Sequence, residues 1–234
     1  MRLLSKGRHA PSAPPAPDRS MVQLNLGCGH VQPEGWVNVD GSNRARVASR
    51  FPWLDRLLVA ARLFSPTEFG ATTVYADLSR RFPWRDNSVD AVYMGEILEH
   101  FTRERGLGVL GECYRVLRPG GVLRVRVPDN AQFWANYLAE YGKTREAPRS
   151  RWDLGHVRWT KMFFRDICVA HRPLRSYGHY HKFMYDDVSL ILTLEGVGFR
   201  DVDRMPFRQS RIPDVASVEV RDDLIVEAVK PDSP

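Results

Sequence analysis

Cysteine is scarce in this chain: Cys28, Cys113 and Cys168 are an odd count among 234 residues, with no close pair. That excludes a disulfide framework and a cysteine-rich zinc site, and it fits reduced thiols in a cytoplasmic protein. No run of about 18 apolar residues occurs, so no segment is expected to span a bilayer. The basic N-terminus lacks the apolar core of a secretory signal, because Pro, Ser and Gly interrupt it early. Pro11, Pro14, Pro15 and Pro17 exclude a helix there. Residues 1–20 therefore read as a disordered basic tail ahead of a single domain over 21–234. Net positive charge is confined to two segments, although the whole chain carries +6. Residues 1–20 carry Arg2, Lys6, Arg8 and Arg19 against Asp18, and residues 143–175 hold nine Lys/Arg against three acids. The rest of the chain is acidic.

What is present is an alternation of strand and helix patterns. Apolar runs at Val22–Leu26, Trp36–Val39, Thr72–Ala76 and Val89–Met94 predict strands. Residues 52–64 have helical periodicity. Leu107, Leu110, Tyr114 and Leu117 share one face of a helix predicted over Arg103–Leu117. Pro119-Gly120-Gly121 is expected to stop that helix and turn the chain into a strand at Val122–Val127. Tyr185–Gly196 reads as a helix capped by Asp186 or Asp187 and ended at Gly196 to Gly198. Two late strands, Phe199–Arg204 and Asp223–Val229, have no helix between them, so one is expected to insert antiparallel. The α/β pattern implies a mainly parallel sheet with one antiparallel strand and helices on both faces. Residues 141–182 match none of this and are expected to form a cap-like insert.

Leu24-Asn25-Leu26-Gly27-Cys28-Gly29 is a strand running into a Gly-x-Gly turn. Glycines there let the backbone take positive φ and approach a ligand closely, at the strand end where open α/β sheets bind ligands. A dinucleotide fold competes for this motif. Two features count against it. Gln32 stands where the third glycine belongs, and Asp40 follows Gly29 by 11 positions, whereas the dinucleotide fingerprint has its acid about 20 residues on. The gap leaves no room for an ordinary crossover helix.

Further segments follow in order: Ala76-Asp77-Leu78, Phe82-Pro83-Trp84 through Asp90, Glu96-Ile97-Leu98-Glu99-His100-Phe101, Glu112 through Gly121, and His181-Lys182-Phe183-Met184-Tyr185-Asp186. As an ordered set these resemble the Rossmann-like class I S-adenosylmethionine-dependent methyltransferases, in particular a type 11-like group with a shortened first crossover that is associated with glycans and natural products. The resemblance covers residues 22–127 strongly and 180–229 more loosely. It implies S-adenosylmethionine as cofactor. Gly27, Cys28 and Gly29 would pass under its methionine part, with Gly95 and Glu96 beside them. Asp40 would take the ribose hydroxyls, and Asp77 and Leu78 the adenine.

Methyl transfer needs alignment above all, and a hydroxyl acceptor gains from a base of near-neutral pKa. Of the seven histidines, His100, His179 and His181 are the candidates. His156 lies in the insert, and His9, His30 and His171 have less support. No His/Asp cluster appears at ligand spacing, so no metal is expected. The insert combines its Arg excess with Trp152, Trp159, Phe163, Phe164, Tyr177 and Tyr180, a composition suited to an anionic saccharide or glycosylated metabolite. Three readings remain open: O-methylation of such an acceptor; N-methylation of a metabolite, protein or nucleic acid; or a non-catalytic cofactor-binding protein. Nucleic acid is disfavoured by the acidic core and the absence of a recognition module. Neither the acceptor nor the oligomeric state is specified by the sequence.

Overall fold

The computed structural model describes residues 21–64, 73–163 and 181–232. Seven strands form one sheet: β1 (Gln23–Leu26), β2 (Val37–Asp40), β3 (Val74–Tyr75), β4 (Val89–Gly95), β5 (Leu117–Val127), β6 (Arg200–Arg204) and β7 (Leu224–Val229). Their spatial order is β3-β2-β1-β4-β5-β7-β6. All described neighbours pair in parallel except β7, which runs antiparallel to both β5 and β6. One strand inserts antiparallel, as the two late strands predicted.

The central strands are covered on both faces, which is why they read as unbroken apolar runs. Val92 and Met94 of β4 face one core, together with Leu24, Leu26, Leu123 and Val125. That side is closed by α3 (Arg103–Val116) and α6 (Asp187–Val197), through Val109, Leu110, Cys113, Leu190 and Leu194. Ala91 and Tyr93, the alternate residues of β4, pack with Trp36 against Ile212, Val215 and Val218 from the segment between β6 and β7. Asp186 caps α6 in a capping box with Ser189, and Gly198, at φ 117°, ends it in the left-handed conformation.

Several elements depart from expectation. The helix read over 52–64 is α2 (Pro52–Ala60), and a helix not read from the sequence, α1 (Asn43–Arg50), precedes it. Ser42 accepts a hydrogen bond from Ala45 N and starts α1. Pro119-Gly120-Gly121 does not delay the strand to Val122. β5 starts at Leu117, directly after α3, and accommodates these residues as a bulge: Leu117 pairs with Val89 and Val122 with Ala91. Between β1 and β2 there is no helix, as the short spacing required.

The 17-residue helix α4 (Asn130–Glu146) was not read from the sequence, and it runs through position 141 without a break. Asp129 caps it by accepting from Gln132 N at 3.0 Å. The shorter α5 (Val157–Phe163) packs beside it. Phe133 of α4 meets Trp159 and Phe163 of α5 at ring-centroid distances of 5.5 and 6.0 Å. The tail over 1–20, and Phe164 to Tyr180 of the insert, lie outside the described residues.

Arg124 of β5 is fully buried. Its guanidinium donates to Glu219 at 2.8 and 2.7 Å, to Glu227 at 2.8 Å, and to the carbonyls of Gln209 and Pro206. This side chain helps to tie the 205–222 segment to the sheet, together with Ser210 Oγ and Arg211 N, which donate to Glu227 of β7.

Candidate active site

The site begins at the end of β1. Gly27 has φ 69°, and a Cβ there would lie 2.0 Å from Cγ1 of Ile97, so only glycine fits. Gly29 has φ 51° with nothing within 4 Å of its Cβ position, leaving that side of the turn open. Cys28 N donates to the Val39 carbonyl at 3.0 Å, which fastens the turn to β2. Asp40, 8% exposed, accepts from Gly29 N at 3.2 Å and from Ser42 N at 2.8 Å, one bond on each carboxylate oxygen. Both oxygens keep further acceptor capacity on the cleft side. Burial, reinforced by the charge of Asp40, pushes the Cys28 thiol up to about 12, so Cys28 is an inert space-filler at neutral pH.

Two clefts lie at this end of the sheet. One, of about 580 Å³, is lined by Asp40, Asp77, Leu78, Ile97, His100 and Phe101 among others. Burial raises the Asp77 pKa, but bonds from the Ser79 hydroxyl and N–H, with Arg80 beside them, outweigh it and hold the carboxyl below its ordinary range. The second cleft, of about 710 Å³, is bounded by Gly27, Cys28, Gly29, Gly95, Glu96 and Arg126. Asp40, Asp77 and Leu78 thus line the first cleft, and Gly27, Cys28, Gly29, Gly95 and Glu96 line the second. Glu96 sits at φ 53°, an uncommon conformation for a residue with a side chain, fixed by its N–H bond to the Arg126 carbonyl at 2.8 Å. Its carboxylate pairs with Arg126 and Arg221, each at 3.1 Å. Arg126 also holds the Tyr93 hydroxyl at 3.0 Å and Asp223 at 2.7 Å.

Past Glu96 lies a third cavity, of about 920 Å³, between the sheet end and the α4–α5 pair. Its lining includes Glu96, Glu99, His100 and His181 on one side and Phe133, Met162 and Phe163 on the other. The His100 and His181 rings stand 5.1 Å apart between centroids. His179 lies outside the described residues. Glu99 is 1% exposed, and neither of its carboxyl oxygens has a hydrogen-bond partner among the described residues. Burial, joined by the charge of Glu96, pushes this carboxyl up to about 8.

Residues 24–125 match the model of the methyltransferase domain family. Residues 24–125 thus carry a methyltransferase domain, and the chain is a methyltransferase. No curated protein sequence matches the chain. Among solved structures it is similar to a SAM-dependent methyltransferase from Archaeoglobus fulgidus, with 16% identity, a TM-score of 0.48, and coverage of 90% of this chain and 86% of that one. A methyltransferase from Methanosarcina mazei aligns at 15% identity and a TM-score of 0.47, over 91% of this chain and 94% of that one. A possible histamine N-methyltransferase from Thermotoga maritima aligns at 13% identity and 0.44, over 89% and 81%. No helix among the described residues is long and apolar enough to cross a membrane.

Sequence reasoning missed several residues of the methyltransferase's site. Glu99 stood in full view between Glu96 and His100, but nothing in the sequence showed that it would be sealed from water. Arg126, Arg221 and Asp223 converge only through the antiparallel pairing of β5 with β7. Phe133 had a legible signal: Phe133, Trp134, Tyr137, Leu138 and Tyr141 recur at helical spacing after a capping Asp129.

Proposed function

We propose that the methyltransferase methylates a hydroxyl of a saccharide or glycosylated metabolite, with the acceptor bound in the cavity between Glu96 and the α4–α5 cap. The observation that carries this reading is that cavity: imidazoles on the cofactor side, aromatic and thioether side chains on the other, adjoining the second cleft at Glu96. Aromatic faces suit the apolar faces of sugar rings. Met162 also lines a neighbouring cleft with Arg158, Trp159 and Lys161, which places two cations beside an indole where an anionic group of the acceptor would lie. The insert over about 141–182, together with the preceding turns of α4, is the acceptor cap. Both described cysteines are free and buried, in keeping with a cytoplasmic setting.

The residues of the two clefts fit the cofactor. The open side of Gly29 leaves room for close approach, and the free edges of the Asp40 carboxylate suit the two hydroxyls of a ribose. Gly27, Cys28, Gly29, Gly95 and Glu96 would hold the methionine portion, and Asp77 and Leu78 the adenine. When bound, S-adenosylmethionine supplies a methyl group already activated on a sulfonium. What remains for the chain is to align the acceptor and exclude water. It must also take the hydroxyl proton, a role His100 and His181 suit by position and type.

The test is transfer of isotopically labelled methyl from S-adenosylmethionine to a panel of neutral and anionic oligosaccharides, nucleoside-linked sugars, amines, protein and RNA. Label in O-methyl groups, read by mass and by methyl NMR shift, is the expected result. Label confined to nitrogen would overturn the hydroxyl assignment, and label confined to RNA or protein would overturn the acceptor class.

A further inference from the structure

Three side chains with metal-ligating atoms converge beside the acceptor cavity. The ligand atoms of Glu99, His100 and His181 all lie within 4.8 Å of one another. Two ligands on one ion at bond lengths of roughly 2 Å can stand about 4 Å apart, so small side-chain rotations close the set. The residues come from segments about 80 positions apart in the chain, which is why linear spacing gave no sign of a site. Their meeting is built into the backbone. The N–H groups of Lys182 and Phe183 donate to the Glu99 carbonyl at 2.7 and 3.2 Å, pinning the segment after His181 against the 3-10 turn Leu98–His100.

Glu99 supplies the independent observation. Its carboxyl is sealed from solvent, both oxygens lack a partner among the described residues, and it faces the cavity with the two imidazoles. A buried acid in that position is costly unless a donor or a cation meets it. The nearby guanidinium of Arg126 is already taken by Tyr93, Glu96 and Asp223.

We infer that Glu99, His100 and His181 form a binding site for a divalent transition-metal ion, Zn²⁺ by preference. Two imidazole nitrogens and one carboxylate oxygen suit Zn²⁺ and its first-row neighbours, whereas Mg²⁺ and Ca²⁺ favour all-oxygen sets. Three protein ligands leave a coordination position open, and all three residues line the cavity. The use of the ion rests on the acceptor reading above. A cation beside the acceptor hydroxyl lowers the cost of losing its proton to solvent, and the two imidazoles then serve as ligands instead of bases. The metal site itself does not depend on what the acceptor is.

The test uses the full chain, stripped with a chelator and titrated calorimetrically with Zn²⁺ alone, then with Mg²⁺ alone. The expected result is one Zn²⁺ per chain and Mg²⁺ at least a hundredfold weaker. Glu99→Gln and His181→Ala should each weaken Zn²⁺ at least tenfold while S-adenosylmethionine affinity changes by less than threefold, which shows that the variants remain folded. Substitution of Co²⁺ in the wild-type protein gives a second readout, a visible spectrum distinct from that of the hydrated ion. Absence of Zn²⁺ binding to the wild type, or Zn²⁺ binding unaffected by either variant, would overturn the site. Methyl transfer at full rate by chelator-treated protein would leave His100 and His181 as direct bases, separating the ion's role from the acceptor assignment.

Discussion

Two groups of buried acid sit against the same sheet and are treated in opposite ways. Glu219 and Glu227 have no exposed side-chain surface, and Arg124, equally buried, lies between them with hydrogen bonds of 2.7 to 2.8 Å. Glu99 is as deeply buried and has no such partner among the described residues. The first group does structural work, so the chain supplies its own cation two residues before Arg126 on β5. The second group lines the cavity proposed for the acceptor, where a cation supplied by the chain would fill the space a ligand needs. Asp40 stands between these cases. Two backbone N–H groups bond it, one on each oxygen, and it lines the first cleft, where the proposed cofactor would meet it.

The sharpest way to break the comparison is to remove the cation of the satisfied group. Arg124→Met leaves two buried carboxylates without a counter-charge, held among the described residues only by Arg208 N, Ser210 Oγ and Arg211 N, and breaking a buried ion pair from one side costs about 3–5 kcal/mol. Urea unfolding of the variant should show that loss, together with faster proteolysis of the 205–222 segment. A loss below about 1 kcal/mol would mean that the carboxylates find other partners and that Arg124 is not the clasp.

Asp40→Ala tests the intermediate case and should act on the cofactor more than on the fold. Hydrogen bonds to a charged group are worth about 1.5–3 kcal/mol, so the dissociation constant for S-adenosylmethionine should rise roughly ten- to a hundredfold by calorimetry. Asp40→Asn, which keeps one acceptor oxygen, should lose less. Equal affinities in all three proteins would remove Asp40 from the ribose position.

These three environments differ in how far the sequence reveals them. Asp40 was legible because its partners are local: Gly29 and Ser42 lie 11 and two positions away, and a strand-end acid after a Gly-x-Gly turn has few other uses. The parallel order of β1 to β5 was legible for the same reason, since apolar runs and capping residues are local signals. Arg124 was not legible. An alternating Val-Leu-Arg strand reads as half exposed, and only the return of β7 and the 205–222 segment buries it. Glu99 was hidden for a related reason. Its partners are placed by the backbone bonds of Lys182 and Phe183, contacts of long sequence separation that no periodicity encodes. The aromatic spacing of α4 was present in the sequence, but it was masked by a helix face that stays largely exposed and packs on α5 instead of the sheet.

The smallest expected effect is also the most discriminating. In chelated protein, Glu99→Gln exchanges one orphaned polar group for another of the same shape, so no hydrogen bond is lost and the change in unfolding free energy should stay within about 1 kcal/mol. With Zn²⁺ at about a hundred times its dissociation constant, the wild type should gain about 2.7 kcal/mol by mass action. The variant, lacking one of three ligands, should gain a small fraction of that. Urea titrations with and without Zn²⁺ measure both quantities on the same samples. If Glu99→Gln in chelator were as costly as Arg124→Met, the Glu99 carboxyl would be bearing a structural bond of its own. The two groups of buried acid would then be alike, and the case for an external cation would lose its physical basis.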